Sequence, residues 1–218
     1  MNNWLNIIQN KLLPPRCILC DSPGLTALDL CAGCFAELPL NLNSCQQCGT
    51  QLTSSEQQQS ICGQCLQTPP AFDSAFIPYL YQGSIRHLIT RLKYHQQYKN
   101  ARLLASLMLK VRSAQHDLPE CLLPVPLHPN RYQQRSFNQA LEISRHLARQ
   151  LQIPLSLNHC QRLRDTPHQT ELNAKQRQQN LNQAFVIHRP LPYSHIVRRC
   201  DSVSGFGQGP QSGAACDI

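Results

Sequence analysis

Cys17-Ile18-Leu19-Cys20, Cys31-Ala32-Gly33-Cys34, Cys45-Gln46-Gln47-Cys48 and Cys62-Gly63-Gln64-Cys65 place eight cysteines in the first 65 residues, as four Cys-x-x-Cys pairs separated by ten, ten and thirteen residues. Two thiolates separated by two residues grip one metal ion from a single tight turn, and two such turns close a tetrahedral shell of four cysteines. Four turns therefore suit about two structural Zn2+ ions, with Cys17, Cys20, Cys31, Cys34, Cys45, Cys48, Cys62 and Cys65 as ligands. A segment of about 70 residues buries too little apolar surface to fold unaided, so a metal staple has a clear purpose. Sequential pairing gives two successive ribbons, while a cross-braced arrangement uses the same eight ligands. Spacing alone leaves both open.

Disulfides and redox chemistry are the competing uses of these cysteines. A secreted disulfide scaffold needs an export signal. The opening Met1 to Asn10 has no early Lys or Arg and no continuous apolar stretch. Trp4, Leu5, Ile7, Ile8, Leu12 and Leu13 recur at roughly helical spacing, so residues 1–13 read as an amphipathic segment. Cys121, Cys160, Cys200 and Cys216 have no partner at turn spacing. Spacing and context favour zinc.

The chain has 218 residues, enough for a metal module and one domain of ordinary size. No run approaches the roughly twenty apolar residues of a membrane span, and a cytoplasmic location is expected. The formal charge is +8. Eight bound thiolates and two zinc ions lower it to about +4, a mildly basic balance that suits anionic ligands without proving one.

Leu66-Gln67-Thr68-Pro69-Pro70 ends the cysteine-rich segment, placing the ribbons within residues 14–68 and a second domain from Phe72 onward. Phe76 to Tyr81 reads as a strand, followed by a turn at Gln82-Gly83. Ser84 looks like the N-cap of a helix carrying Ile85, Leu88, Ile89 and Leu92. A second helix is expected over Asn100 to Arg112. The stretches Ser54–Ser60 and Gln96–Gln97 read as polar loops.

Leu122-Leu123-Pro124-Val125-Pro126-Leu127 reads as a buried strand leading into His128-Pro129-Asn130-Arg131-Tyr132-Gln133-Gln134-Arg135-Ser136-Phe137-Asn138-Gln139. A helix with Ala140, Ile143, Leu147 and Leu151 on one face follows. An arginine-bearing loop between strand and helix makes a natural anion site, because free amides and the helix dipole meet the guanidinium groups there. A solvated loop whose arginines pair with nearby acids is the alternative.

These segments together resemble the ComF family of bacterial competence proteins. The resemblance is carried by the four cysteine pairs, Leu92-Lys93-Tyr94, Pro124-Val125-Pro126-Leu127, Arg131 and Arg135-Ser136-Phe137-Asn138-Gln139. It continues through Arg162-Leu163-Arg164-Asp165-Thr166-Pro167-His168-Gln169-Thr170 and then Leu172, Arg177, Asn180, Leu181, Ala184 and Phe185, covering about residues 14–197. Ser136 departs from the family's usual glycine.

The resemblance implies an α/β protein with an N-terminal double zinc ribbon and a type I phosphoribosyltransferase-like domain, a mostly parallel sheet with helices. The implied role is handling of single-stranded DNA during DNA uptake and natural transformation, with DNA or other competence proteins as partners. In that fold Arg131, Arg135, Ser136 and Asn138 would bind pyrophosphate, and Arg162, Arg164, Asp165, Thr166, Gln169 and Thr170 would lie on a mobile loop over it.

The family pattern then stops. Phosphoribosyltransferase-like domains end a strand in two acids followed by Val-x-Thr-Thr-Gly, the loop that holds phosphoribosyl pyrophosphate with Mg2+. Here the strand starts at His195-Ile196-Val197 and runs into Arg198-Arg199-Cys200-Asp201, with neither paired acids nor the threonine loop. The domain is therefore expected to be incomplete over 72–197, with an aberrant, disordered tail over 198–218. Gly205-x-Gly207-x-Gly209 is a weak substitute, since no helix follows to supply amides. A frameshift accounts for the tail better: codons compatible with Asp201 to Gln211 also encode a helix-like peptide in the neighbouring frame. Three functional readings follow: a competence factor without transferase activity, an active phosphoribosyltransferase on a nucleobase-type acceptor, or an inactive truncated product.

Overall fold

In the computed structural model, residues 15–25, 28–52, 60–112, 118–166, 173, 176 and 179–188 are described. The expected N-terminal helix, the strand at 195–197 and the tail at 198–218 lie outside them.

The two ribbons are built alike. In each, the first cysteine pair sits in a tight turn closed by a hydrogen bond from the amide after the pair: Asp21 N to Cys17 O (2.9 Å) and Gly49 N to Cys45 O (2.8 Å). A second bond matches as well, Cys17 N to Ser22 O and Cys45 N to Thr50 O, both 2.8 Å. The antiparallel bridges Arg16–Pro23 and Ser44–Gln51 occupy the same two positions. The second pair in each ribbon opens a one-turn helix, α1 (Ala32–Ala36) or α2 (Gly63–Gln67), with Cys31 or Cys62 as N-cap. The residue after each turn is left-handed, Asp21 at φ 62° and Gly49 at φ 72°. Gly49 is also forced by space, since a Cβ there would lie 2.8 Å from Ile77 Cδ1.

Beyond the ribbons, α3 (Gly83–His95) and α4 (Lys99–Val111) form a helical hairpin through the left-handed Gln96. The N-cap of α3 is Gln82 rather than the expected Ser84, whose buried hydroxyl finds no partner among the described residues. Leu88, Leu92, Leu103 and Leu107 are essentially inaccessible to solvent. Asn100, equally buried, ties the hairpin by donating from Nδ2 to Leu88 O (3.0 Å).

The hydrophobic core ignores the Pro69-Pro70 break. Cys17, Leu28, Leu30 and Leu38 of the first ribbon join Tyr79, the α3 and α4 leucines and Phe137 in one cluster. The second ribbon has its own small cluster of Cys45, Leu52, Cys62 and Cys65. Residues 76–81 form a single bridge, Tyr79 to Leu40, and not a longer strand. Tyr79 is nevertheless central, because its hydroxyl donates to Leu107 O (3.2 Å) at the end of α4. Asn41 stitches the same seam: Nδ2 donates to Gly49 O (2.8 Å) and Ile77 O (3.0 Å).

The segment after Leu127 is partly helical. Pro129–Arg135 forms α5, and Gln139–Leu151 forms α6, which packs on α4. Proline at the first helical position with His128 as N-cap is a start signal visible in the sequence, and it outweighs the loop reading. The chain returns from α6 to pair Leu155 with Leu122 in parallel, through Leu122 N to Pro154 O (2.9 Å) and Ser156 N to Leu122 O (2.8 Å). The one sheet among the described residues joins β1 (Cys160–Arg162) and β2 (Phe185–Ile187) antiparallel, with Gln161 opposite Val186.

Candidate functional site

The structure resolves the pairing of the cysteine turns. Cys17, Cys20, Cys31 and Cys34 converge as one tetrad and Cys45, Cys48, Cys62 and Cys65 as the other, with all four sulfurs of each within 4.8 Å of one another. The arrangement is sequential. A Zn–S bond of about 2.3 Å sets the edge of a regular tetrahedron at about 3.8 Å. Cys20 Sγ lies 3.6 Å from both Cys31 Sγ and Cys34 Sγ, and Cys48 Sγ lies 3.7 Å from Cys62 Sγ. Backbone amides support the sulfurs, Cys34 N to Cys31 Sγ (3.4 Å) and Cys62 N to Cys45 Sγ (3.3 Å). The donor set and spacing fit about two Zn2+ ions.

Thiol acidity points the same way. Hydrogen bonds from Ser22 lower Cys20 to about 6. Burial opposes ionisation of Cys45, yet amide bonds from Cys48, Cys62 and Gln47 outweigh it and bring this thiol also to about 6. Their neighbours shift the other way: contact with Cys20 pushes Cys34 up, and burial with contact from Cys48 and Cys62 pushes Cys65 up. Four clustered thiols therefore ionise together only against a cation, and a divalent metal supplies that charge.

The expected anion residues divide into separate contacts. Arg131, with its side chain only 15% exposed, donates from Nε to Asp165 Oδ1 (3.4 Å) and from Nη2 to Thr166 O (3.0 Å). Asn130 Nδ2 donates to Asp165 Oδ2 (2.8 Å). The Asp165 carboxyl is held below its usual range, chiefly by that Asn130 bond and further by Arg131. Arg162, at the end of β1, donates to the buried Thr166 hydroxyl and lies over the Phe185 ring at 5.5 Å. Arg164 Nη1 donates to Asn182 O (2.6 Å).

Arg135, Ser136 and Asn138 serve the α5–α6 junction. Arg135 Nη1 donates to Gln139 Oε1 (3.3 Å), and its guanidinium lies 5.9 Å from the Tyr94 ring centroid. Ser136 caps α5 in the left-handed region at φ 63°. Asn138 caps α6, accepting from Leu141 N (3.3 Å) while donating to Val125 O (2.9 Å). Gln169 and Thr170 lie outside the described residues. Sequence reading missed Asn130, whose only advance signal was its place inside the arginine-bearing segment, and Asn41, which had none.

Two adjacent closed sites of four cysteines, each a tight turn facing a helix start, define a double zinc ribbon protein, and residues 8–66 match the double zinc ribbon domain family. The chain is 36% identical over 191 residues to Competence protein F of Haemophilus influenzae, a match spanning 84% of this chain and 82% of that protein. It is 30% identical over 191 residues to DNA utilization protein YhgH of Escherichia coli K12 and of Salmonella typhimurium, spanning 85% of this chain and 83% of each. The chain belongs to the competence protein F family. No solved structure matches it. Among the described residues, no helix is long and apolar enough to cross a membrane.

Proposed function

We propose that this protein handles single-stranded DNA during DNA uptake and natural transformation, in the cytoplasm, alone or with other competence proteins. The carrying observation is the 36% identity to Competence protein F across more than four-fifths of both chains. The DNA utilization relatives name the same kind of process. Replacing the competence protein F gene of a naturally transformable host with this one tests the role. Recovery of transformants to within about tenfold of the parent strain is expected. A frequency equal to that of the deletion strain would overturn it.

The finer reading is an incomplete phosphoribosyltransferase-like domain over residues 72–197. Its support is the parallel return of Leu155 onto Leu122 after α6, since parallel neighbours require such a crossover. The α5–α6 segment follows Leu122, the first member of that parallel bridge, and α/β folds bind ligands beyond the carboxyl ends of such parallel neighbours. In this reading Arg131, Arg135, Ser136 and Asn138 form the pyrophosphate side, and residues 162–170 the covering loop. The acids and threonine loop that would hold phosphoribosyl pyrophosphate and Mg2+ are missing from the sequence, and transfer requires both ends of the donor to be fixed. The proposed activity is therefore DNA handling without phosphoribosyl transfer. Calorimetry with phosphoribosyl pyrophosphate and Mg2+ is expected to give no saturable heat, and tight binding would restore the enzyme reading.

A further inference from the structure

The charge of the chain is unevenly placed. Residues 74–116 hold seven Lys or Arg and no Asp or Glu. Within this stretch Arg102 pairs with Asp29 and Lys110 lies over the Phe35 ring, while Arg91 and Lys99 are exposed. The α3–α4 hairpin thus presents positive charge that its own sequence does not neutralise.

Large aromatic rings are exposed beside this charge. Tyr94 is 58% exposed, Tyr98 47% and Tyr132 51%. Arg135 reaches over the Tyr94 ring at 5.9 Å, and Phe137, two residues further on, meets Tyr98 edge-on at 4.9 Å. Tyr94 and Tyr98 therefore flank the α5–α6 junction from the hairpin side. Tyr132 lies one turn before Arg135 on α5, at a spacing that shares a face. Exposed rings interleaved with cations, and no acid in the hairpin, suit a polyanion that also offers flat faces. Duplex DNA hides those faces, whereas a single strand presents them.

We propose that Tyr94, Tyr98, Tyr132 and Arg135 form a stacking platform for the bases of single-stranded DNA, with Arg91 and Lys99 tracking its phosphates. This rests on the DNA-handling reading above and gives that reading a surface. Arg135 serves the platform through its position over Tyr94, a place from which it can stack on a base.

The test uses the full chain, zinc-loaded, with oligo-dT of about 16 nucleotides and an abasic strand of equal length. The Tyr94→Ala, Tyr132→Ala double variant is expected to weaken oligo-dT binding about tenfold or more, because aromatic stacking contributes strongly at each base. Its slope against log salt should not change, since no phosphate contact is lost, whereas Lys99→Ala should lower that slope by about 0.7. The abasic strand should bind weakly and be indifferent to the tyrosine changes. Tyr94→Trp should retain affinity and show fluorescence quenching on binding. Zinc content and far-ultraviolet circular dichroism confirm folding of each variant. If the parent binds oligo-dT and the double variant stays within twofold of it, the platform is overturned while the DNA reading stands. If the parent binds no single strand, both fall. Tighter binding of the matching RNA would overturn the assignment to DNA.

Discussion

Ser136 holds a left-handed backbone at φ 63° to end α5, a conformation that is costly for a residue with a Cβ. Ser136→Gly is expected to stabilise the chain by about 1 kcal/mol, raising Tm by about 2–4 °C in a calorimetric scan. A lower Tm would show that the hydroxyl contributes more than the backbone loses. Asn41 acts in the opposite sense. Removing its amide leaves the carbonyls of Gly49 and Ile77 without that donor, so Asn41→Ala should cost about 1–3 kcal/mol in urea unfolding. Asp165 adds a pH dependence. Its folded pKa is depressed, so its contacts with Asn130 and Arg131 favour the folded loop above the ordinary carboxylate range and are lost as pH falls through the depressed value. A carboxyl carbon NMR titration should place its midpoint below that of a free peptide, and a midpoint at or above it would contradict the contact geometry. The Ser136 departure was legible in the sequence, but the roles of Asn41 and Asp165 were not, because each depends on a partner brought near by folding.

At the scale of elements, the ribbons were the most legible part of the chain. Four turns at two-residue spacing define their own local geometry, so the metal chemistry could be read without any tertiary contact. The pairing could not, since it depends on how the turns pack. The structure also places the two ribbons in different apolar clusters. Cys17 belongs to the core shared with α3 and α4, while the second tetrad has a cluster of its own. Cys48→Ser and Cys17→Ser should each reduce bound zinc from about two ions to about one in native mass spectrometry. Only Cys17→Ser should lower the unfolding midpoint of the helices markedly. Equal effects on the helices would show that the two ribbons share one cooperative unit. The long helices α3, α4 and α6 were legible from apolar spacing, with α4 displaced by one residue from its expected bounds, whereas α5 was expected as a loop. The expected strand at 76–81 was not borne out, because only Tyr79 of this segment enters the shared core, Phe76 is exposed, and the backbone bridges Leu40 at Tyr79 alone.

Across the whole molecule, the composition changes at Pro69-Pro70 while the apolar packing continues past it. A proline pair interrupts local hydrogen bonding, yet Leu28, Leu30 and Tyr79 place ribbon and helices in one apolar cluster. The first cysteine tetrad thereby supports the surface that carries Tyr94 and Arg135, through α3 and the core beneath it. The positive hairpin was obscured in the overall charge, since the acids of the chain lie elsewhere in sequence. The proposed role of this folded, metal-stapled molecule is to handle single-stranded DNA. The most direct measurement is the affinity of the zinc-loaded full chain for oligo-dT and for a duplex of equal length across a range of salt concentrations. Tighter binding to the single strand is expected, with log affinity falling linearly against log salt. Absence of binding, or equal affinity for the duplex, would contradict it.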